Sequence, residues 1–307
     1  RLWDFQSRKC ISIFRNHDHS LYLLEFSYCG NYLCGVGKDK QGKTLIVLWD
    51  IKSNQNKNKS SKENQLMVKV IAKAHTDVHI NRLMFIHFDS TRLITCGKEN
   101  LRFWRLKNDT LRSCAVNLSP YINALNLNNQ SNDELVNEKN KNLNNYNNKP
   151  CLEFTDMSVN MRTGNNENLV YACTKTGQIF VLNMAKMEIE NVRILEPVIQ
   201  KTGILVSTQS LNHQIQASLR LNSLTVSDSF CVTGSDDGYV RIWALDFSQI
   251  TVEAEHEAPL GLVRFSPDCL KIATATINGN LGVLDIKCKE YLTLVRSHTD
   301  SIIDISI

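Results

Sequence analysis

The chain has 307 residues, 42% of them hydrophobic and 21% charged, which is long enough for a sizeable core and ordinary for a globular protein. A net charge of +4 is too weak a basic balance to point to nucleic acid, and no apolar run reaches the roughly 18 residues that span a bilayer. The chain opens on Arg1-Leu2-Trp3-Asp4, without Met or a signal-peptide pattern, so a piece of a longer protein is expected.

In chain order, Arg1-Leu2-Trp3-Asp4 and the stretch from Cys10 to Phe14 predict two short strands. His17 then leads into an apolar strand ending at Phe26, followed by a turn at Ser27-Tyr28-Cys29-Gly30. A second strand reaches the turn Gly37 to Thr44, and Ile46-Val47-Leu48-Trp49-Asp50 forms a third. Residues 53–65 are a polar insert rich in Asn and Lys. His75 to Phe85 starts the pattern again, and Leu101-Arg102-Phe103-Trp104 closes it. A second Asn-rich insert covers 125–149. Strands resume after Cys151 and include Gly177-Gln178-Ile179-Phe180-Val181-Leu182. After a weakly patterned stretch, Cys231 to Gly238 and Tyr239-Val240-Arg241-Ile242-Trp243 give the clearest strand–turn–strand unit. His256 to Phe265, the turn Ser266-Pro267-Asp268 and Gly279 to Leu284 give one more, and His298 to Ile305 begins another.

These segments are one repeat. Trp or its substitute stands at 3, 49, 104, 182, 243 and 284, with steps from 41 to 78 residues. The short steps match the 40–45 residues of a WD-type propeller blade, and the long ones contain the inserts. The expected fold is an all-β WD-repeat β-propeller with five complete four-stranded blades, starting near His17, His75, Cys151, Ala217 and His256. Partial blades flank them: Trp3 with the strand at Cys10, and Ser301 to Ile307 as the first strand of a following blade. The whole of 1–307 is thus one propeller segment with loop inserts at 53–65 and 125–149.

In such repeats a His, a strand hydroxyl, a turn carboxylate and the Trp are linked by hydrogen bonds that satisfy polar groups inside the blade. The expected sets are His17, Asp39 and Trp49; His75, Thr95, Glu99 and Trp104; Thr233, Asp237 and Trp243; and His256 with Thr274. No blade carries all four, so apolar packing must supply most of the stability.

Three patterns invite chemistry. Gly37-Lys38-Asp39-Lys40-Gln41-Gly42-Lys43-Thr44 matches the phosphate-loop pattern, but a strand follows where the phosphate site needs a helix, so a hairpin turn is expected. His17-Asp18-His19 and His75/His79 have metal-compatible spacing but no carboxylate-rich partner motif. The ten cysteines include no Cys-x-x-Cys pair and read as buried reduced thiols of a cytosolic protein. No nucleophile motif is present. The expectation is therefore a non-enzyme with no catalytic residues, cofactor, metal or small-molecule substrate, and with no nucleic-acid or membrane partner. Lys38, Lys40 and Lys43 on the hairpin turn are the candidate partner-binding residues, expected on the same face as the 125–149 insert, with Lys57, Lys59 and Lys62 opposite.

Several segments resemble one family in particular. They include Tyr32 to Asp50, AKAHTD from Ala72 to Asp77, ITCGKENLRFWRL from Ile94 to Leu106, and LEFTDM from Leu152 to Met157. SFCVTGSDDGYVRIWALDFS from Ser229 to Ser248 and RSHTDS from Arg296 to Ser301 continue the likeness. Together they resemble the WD repeat-containing protein 90, or proteome-of-centriole, family. That resemblance implies a non-enzymatic structural scaffold of centriole, basal-body or ciliary microtubules in the cytoplasmic cytoskeleton. It implies the microtubule wall (tubulin) or neighbouring centriolar scaffold proteins as partners. A general WD-repeat adaptor for a cytosolic multiprotein complex is the alternative reading.

Overall fold

A computed structural model describes residues 1–13, 20–51, 68–123, 151–160, 169–195, 219–294 and 297–305. His17, Ala217, Lys57, Lys59, Lys62 and both inserts lie outside the described residues. The chain divides into two compact units, Arg1–Val116 and Asn117–Ile307.

The N-terminal unit holds one two-stranded sheet, β1 (Leu2–Asp4) with β2 (Lys9–Ser12), and two four-stranded meanders. The first meander is β3 (Leu21–Phe26), β4 (Tyr32–Lys38), β5 (Thr44–Asp50) and β6 (Lys69–Thr76). The second is β7 (Ile80–Ile86), β8 (Asp89–Gly97), β9 (Asn100–Lys107) and β10 (Thr110–Ala115). Every neighbour is antiparallel and next in sequence, so short turns suffice to connect them. Cys34, Val36, Ile46 and Leu48 of one meander pack on Ile80, Leu83, Phe85, Leu93 and Trp104 of the other. Leu2 joins Trp49, Leu33 and Val47 in a smaller cluster.

The C-terminal unit holds three more meanders: β11 (Phe154–Val159) to β14 (Glu188–Ile194), β15 (Leu221–Val226) to β18 (Ile250–Glu255), and β19 (Leu260–Phe265) to β22 (Tyr291–Leu294). Between the ends of the first and the second lie β12 (Leu169–Thr174), β13 (Gln178–Asn183), β16 (Phe230–Ser235) and β17 (Tyr239–Ala244); β20 (Lys271–Thr276) and β21 (Leu281–Asp285) complete the third. Cys173, Ile179 and Leu195 pack against Leu221, Leu224 and Trp243, while Val232, Val240 and Ile242 pack against Leu260, Val263 and Leu284. A helical turn at 119–123 sets Tyr121 edge-on to Phe180, itself edge-on to Phe154.

The five complete sheets begin where the repeat places them. They also share a feature that composition does not display. The first strand of each slips register once near its start, at Leu21/Leu23, Ile80/Arg82, Phe154/Asp156, Leu221/Ser223 and Leu260/Leu262. Such a bulge bends the strand and increases its local twist at the same point of every repeat. Three sheets slip again at the Trp position, at Leu48/Trp49, Val181/Leu182 and Ile242/Trp243.

Two expectations need correction. Residues 301–305, expected in a strand, form no ladder among the described residues; a first strand needs a second beside it. The cysteines are not uniformly buried: Cys34, Cys96, Cys173 and Cys231 are, but Cys10, Cys29, Cys114, Cys269 and Cys288 are exposed. Cys29 and Cys269 sit in turns, where an apolar flanking run is no guide to burial.

Candidate interaction site

The turn at 39–43 is built around one carboxylate. Asp39 Oδ1 accepts hydrogen bonds from the backbone N–H of Gln41 (2.8 Å) and of Lys43 (2.9 Å). The Asp39 N–H donates to the Lys43 carbonyl at 2.8 Å, and Gly42 takes the left-handed conformation (φ 79°) that closes the turn. Partial burial pushes the Asp39 carboxyl up. The Lys43 and Gln41 N–H groups, with the charges of His75 and Lys43, outweigh that and hold it below the usual carboxylate range. β4 and β5 run directly into this turn, and the N–H groups that a phosphate loop would offer an anion already serve Asp39.

Lys38, Lys40 and Lys43 are all exposed around this turn. Lys43 Nζ lies 3.8 Å from Asp77 Oδ1 in an exposed pair, which partly offsets its charge but adds little stability. The arrangement is a stiff loop presenting lysines to solvent. It can attract an acidic surface.

His75 belongs to this turn. Register pairing of Leu45 with His75 sets its ring beside the turn of its own sheet, with Nε2 3.3 Å from Asp39 Oδ2. The expected grouping of His75 with Thr95, Glu99 and Trp104 is corrected accordingly: a His at the end of a fourth strand lies next to the β4–β5 turn, one sheet earlier than sequence order suggests. Glu99 is exposed, in a left-handed turn conformation (φ 47°). Trp104 Nε1 does donate to Thr95 Oγ1 at 2.8 Å, and Trp243 Nε1 to Thr233 Oγ1 at 2.9 Å. In the first meander Gly35 occupies the hydroxyl's position, and the Trp49 ring lies so close that a Cβ there would meet it at 2.8 Å.

Asp237 binds an arginine. Its carboxylate lies 2.7 Å from Arg241 Nη2 and accepts from the Tyr239 N–H at 3.1 Å. Arg241 also reaches Glu253 at 2.6 Å and Ser235 Oγ at 3.0 Å, and its guanidinium stands 4.7 Å from the Tyr239 ring centroid. Burial pushes Asp237 up, but these hydrogen bonds and the Arg241 charge pull it below its ordinary range.

His256 is buried, and its backbone N–H donates to the Gly238 carbonyl at 2.9 Å, again placing the His beside the turn that precedes it. Its Nδ1 contacts the Glu257 carboxylate and faces the Glu257 N–H at 2.9 Å. The ring is edge-on to Tyr291, centroids 5.8 Å apart.

Sequence reasoning missed a buried link between three first strands. Asp156 Oδ2 on β11 accepts from Ser223 Oγ (2.6 Å) and the Leu224 N–H (3.1 Å) on β15, and from Arg264 Nη1 (2.9 Å) on β19. Ser223 Oγ in turn accepts from the Val263 N–H at 3.1 Å. A single Asp in an apolar strand was the available signal, but its partners lie far away in the chain.

Comparisons agree with this architecture. The WD domain, G-beta repeat family matches residues 207–244. The β-propeller domain of Myceliophteria thermophila Cps50 (Swd1) superposes with a TM-score of 0.63 at 13% identity, over 97% of this chain and 79% of that one. WD repeat-containing protein 90 of Xenopus tropicalis is 37% identical over 100% of this chain, and that of Homo sapiens 33%. Centriole proteome protein 16 of Chlamydomonas reinhardtii is 29% identical over 97% of this chain. The chain spans 15%, 16% and 12% of those three relatives. By repeat, fold and similarity along its whole length, this chain is an all-β WD-repeat β-propeller segment that is similar to WD repeat-containing protein 90.

Proposed function

We propose that the chain is a non-enzymatic scaffold segment of centriolar, basal-body or ciliary structures, working through protein–protein contacts. The observation that carries this reading is its similarity, over 97% of its length, to a protein named for the centriole proteome. The stiff turn bearing Lys38, Lys40 and Lys43 is the proposed contact, because a hairpin closed by Asp39 loses little entropy on docking. Acidic tubulin surfaces of the microtubule wall suit it by screened, salt-dependent attraction; a neighbouring scaffold protein with an acidic face is the other partner of this kind.

Two measurements test the proposal. The tagged full-length protein should concentrate at centrioles or basal bodies of a ciliated cell, whereas a diffuse cytosolic signal favours a general adaptor. The purified chain should co-sediment with microtubules more strongly at low than at moderate salt, and reversing the charges at Lys38, Lys40 and Lys43 should weaken it. If that reversal changes nothing at either salt, this turn is not the contact.

A further inference from the structure

At the other end of the N-terminal unit's strands, far from the lysine turn, the connections β3–β4 and β7–β8 meet. Tyr28 stands edge-on to His87 with ring centroids 3.6 Å apart, and Tyr28 and the neighbouring Phe88 are 61% and 51% exposed. Burial of such large side chains would be favourable, so their joint exposure at one place marks a contact surface.

Beside them runs an arginine row. Arg92 on β8 pairs in register with Arg105 on β9, and Arg105 with Arg112 on β10. Residues directly opposite in antiparallel strands point to the same face, on neighbouring strands roughly 4.8 Å apart. Like charges so placed repel each other and destabilise the sheet. Asp89, next to Phe88, offsets the first two: it binds Arg92 at 2.9 Å and lies close enough to feel Arg105. Arg112 is exposed and makes no ion pair with a described residue. An arrangement that costs the fold something locally is expected at a functional site.

We propose that this edge docks an acidic, extended peptide segment of a protein partner, its carboxylates bridging Arg105 and Arg112 and an apolar side chain covering Phe88 and Tyr28. Carboxylates on alternate residues of an extended chain recur about every 7 Å, within reach of flexible arginines on adjacent strands. Aromatic and arginine side chains together are the composition of interface hot spots. Asp89 among the arginines, and a net charge of only +4, favour a peptide over a nucleic-acid backbone.

The test is fluorescence anisotropy of the purified chain with a labelled Glu-Leu-Glu-Leu-Glu-Leu peptide. Saturable binding should weaken by about tenfold in Arg105→Glu/Arg112→Glu and severalfold in Phe88→Ala. The control Lys287→Glu/Lys289→Glu, in a turn of the C-terminal unit, should bind like wild type. Absence of saturable binding overturns the proposal, as does an equal loss in the control. Tighter binding of an oligothymidylate than of the peptide in the same salt would overturn it in favour of single-stranded nucleic acid. None of these outcomes depends on the lysine turn.

Discussion

The Tyr291 hydroxyl lies 2.7 Å from Thr274 Oγ1, across the strand that carries Gly282. In the second and fourth meanders the equivalent hydroxyls, Thr95 and Thr233, receive an indole N–H instead. Leu284 occupies the Trp position here, paired with Ile272 as Trp243 is with Cys231. Tyr291 therefore supplies from the fourth strand the partner that the third strand lost, and Gly282 leaves the space for it.

Gly282→Ala should consequently be more damaging than an alanine in an ordinary strand. The added Cβ would collide with the Tyr291 hydroxyl and with Thr274 Oγ1. A loss of roughly 2 kcal/mol is expected, as for overpacking of a tight core. Urea denaturation of Gly282→Ala, and of Gly282→Ala/Tyr291→Phe to relieve part of the clash, measures it. Equal stability of Gly282→Ala and wild type would rule out the tight approach.

Alkaline pH should act through the same tyrosine. Burial pushes the Tyr291 phenol up to about 12, with the Thr274 hydrogen bond opposing. Its folded value thus lies above the ordinary value of about 10. The neutral phenol's contribution is complete below pH ~10 and is lost as pH rises towards 12. Tyr291→Phe should flatten the fall in melting temperature across that window.

Acid should act through Asp237, in the opposite sense. Its folded value is depressed by Arg241, Ser235 and the Tyr239 N–H. Its contribution is complete above the ordinary Asp value near 3.9 and is lost as pH falls below it. Asp237→Asn should lower the melting temperature at neutral pH, where Arg241 loses one of its two carboxylate partners among the described residues and keeps Glu253. The difference from wild type should shrink as both are acidified towards pH ~3.

The repeats were legible because Gly, the turn residues and the Trp series act locally, and alternation of apolar residues sets strand faces without knowledge of neighbours. Five sheets follow from that alone. Side-chain partnerships were less legible. His75 was grouped with the strands that follow it, but strand register sets it beside Asp39. Tyr291 carries no repeat signal, because it replaces a missing Trp from a different strand. Arg241 is buried among two carboxylates and a tyrosine ring, a partnership that the pattern of its own strand does not display. Asp156, Ser223 and Arg264 are 67 and 108 residues apart by their hydrogen bonds, beyond any local pattern.

That last group gives the final prediction. Asp156 is 3% exposed, and its carboxylate collects Ser223, the Leu224 N–H and Arg264. Asp156→Ala removes the shorter of two carboxylate contacts of the part-buried Arg264, which keeps the 3.7 Å approach to Asp304 Oδ1, and leaves the Ser223 hydroxyl and a backbone N–H without this acceptor. Removing one member of such a group costs about 3–5 kcal/mol. Arg264→Met alone should cost less, because it leaves the Asp156 carboxylate with three neutral donors, the Ser223 hydroxyl and the Met157 and Leu224 N–H groups. The double variant Asp156→Leu/Arg264→Met removes both charges together and should recover much of the loss. Denaturant titration of the three variants separates the possibilities: if Asp156→Ala is no less stable than Arg264→Met, the carboxylate does not organise these first strands. If the double variant is as unstable as the sum of the single ones, the two residues act independently.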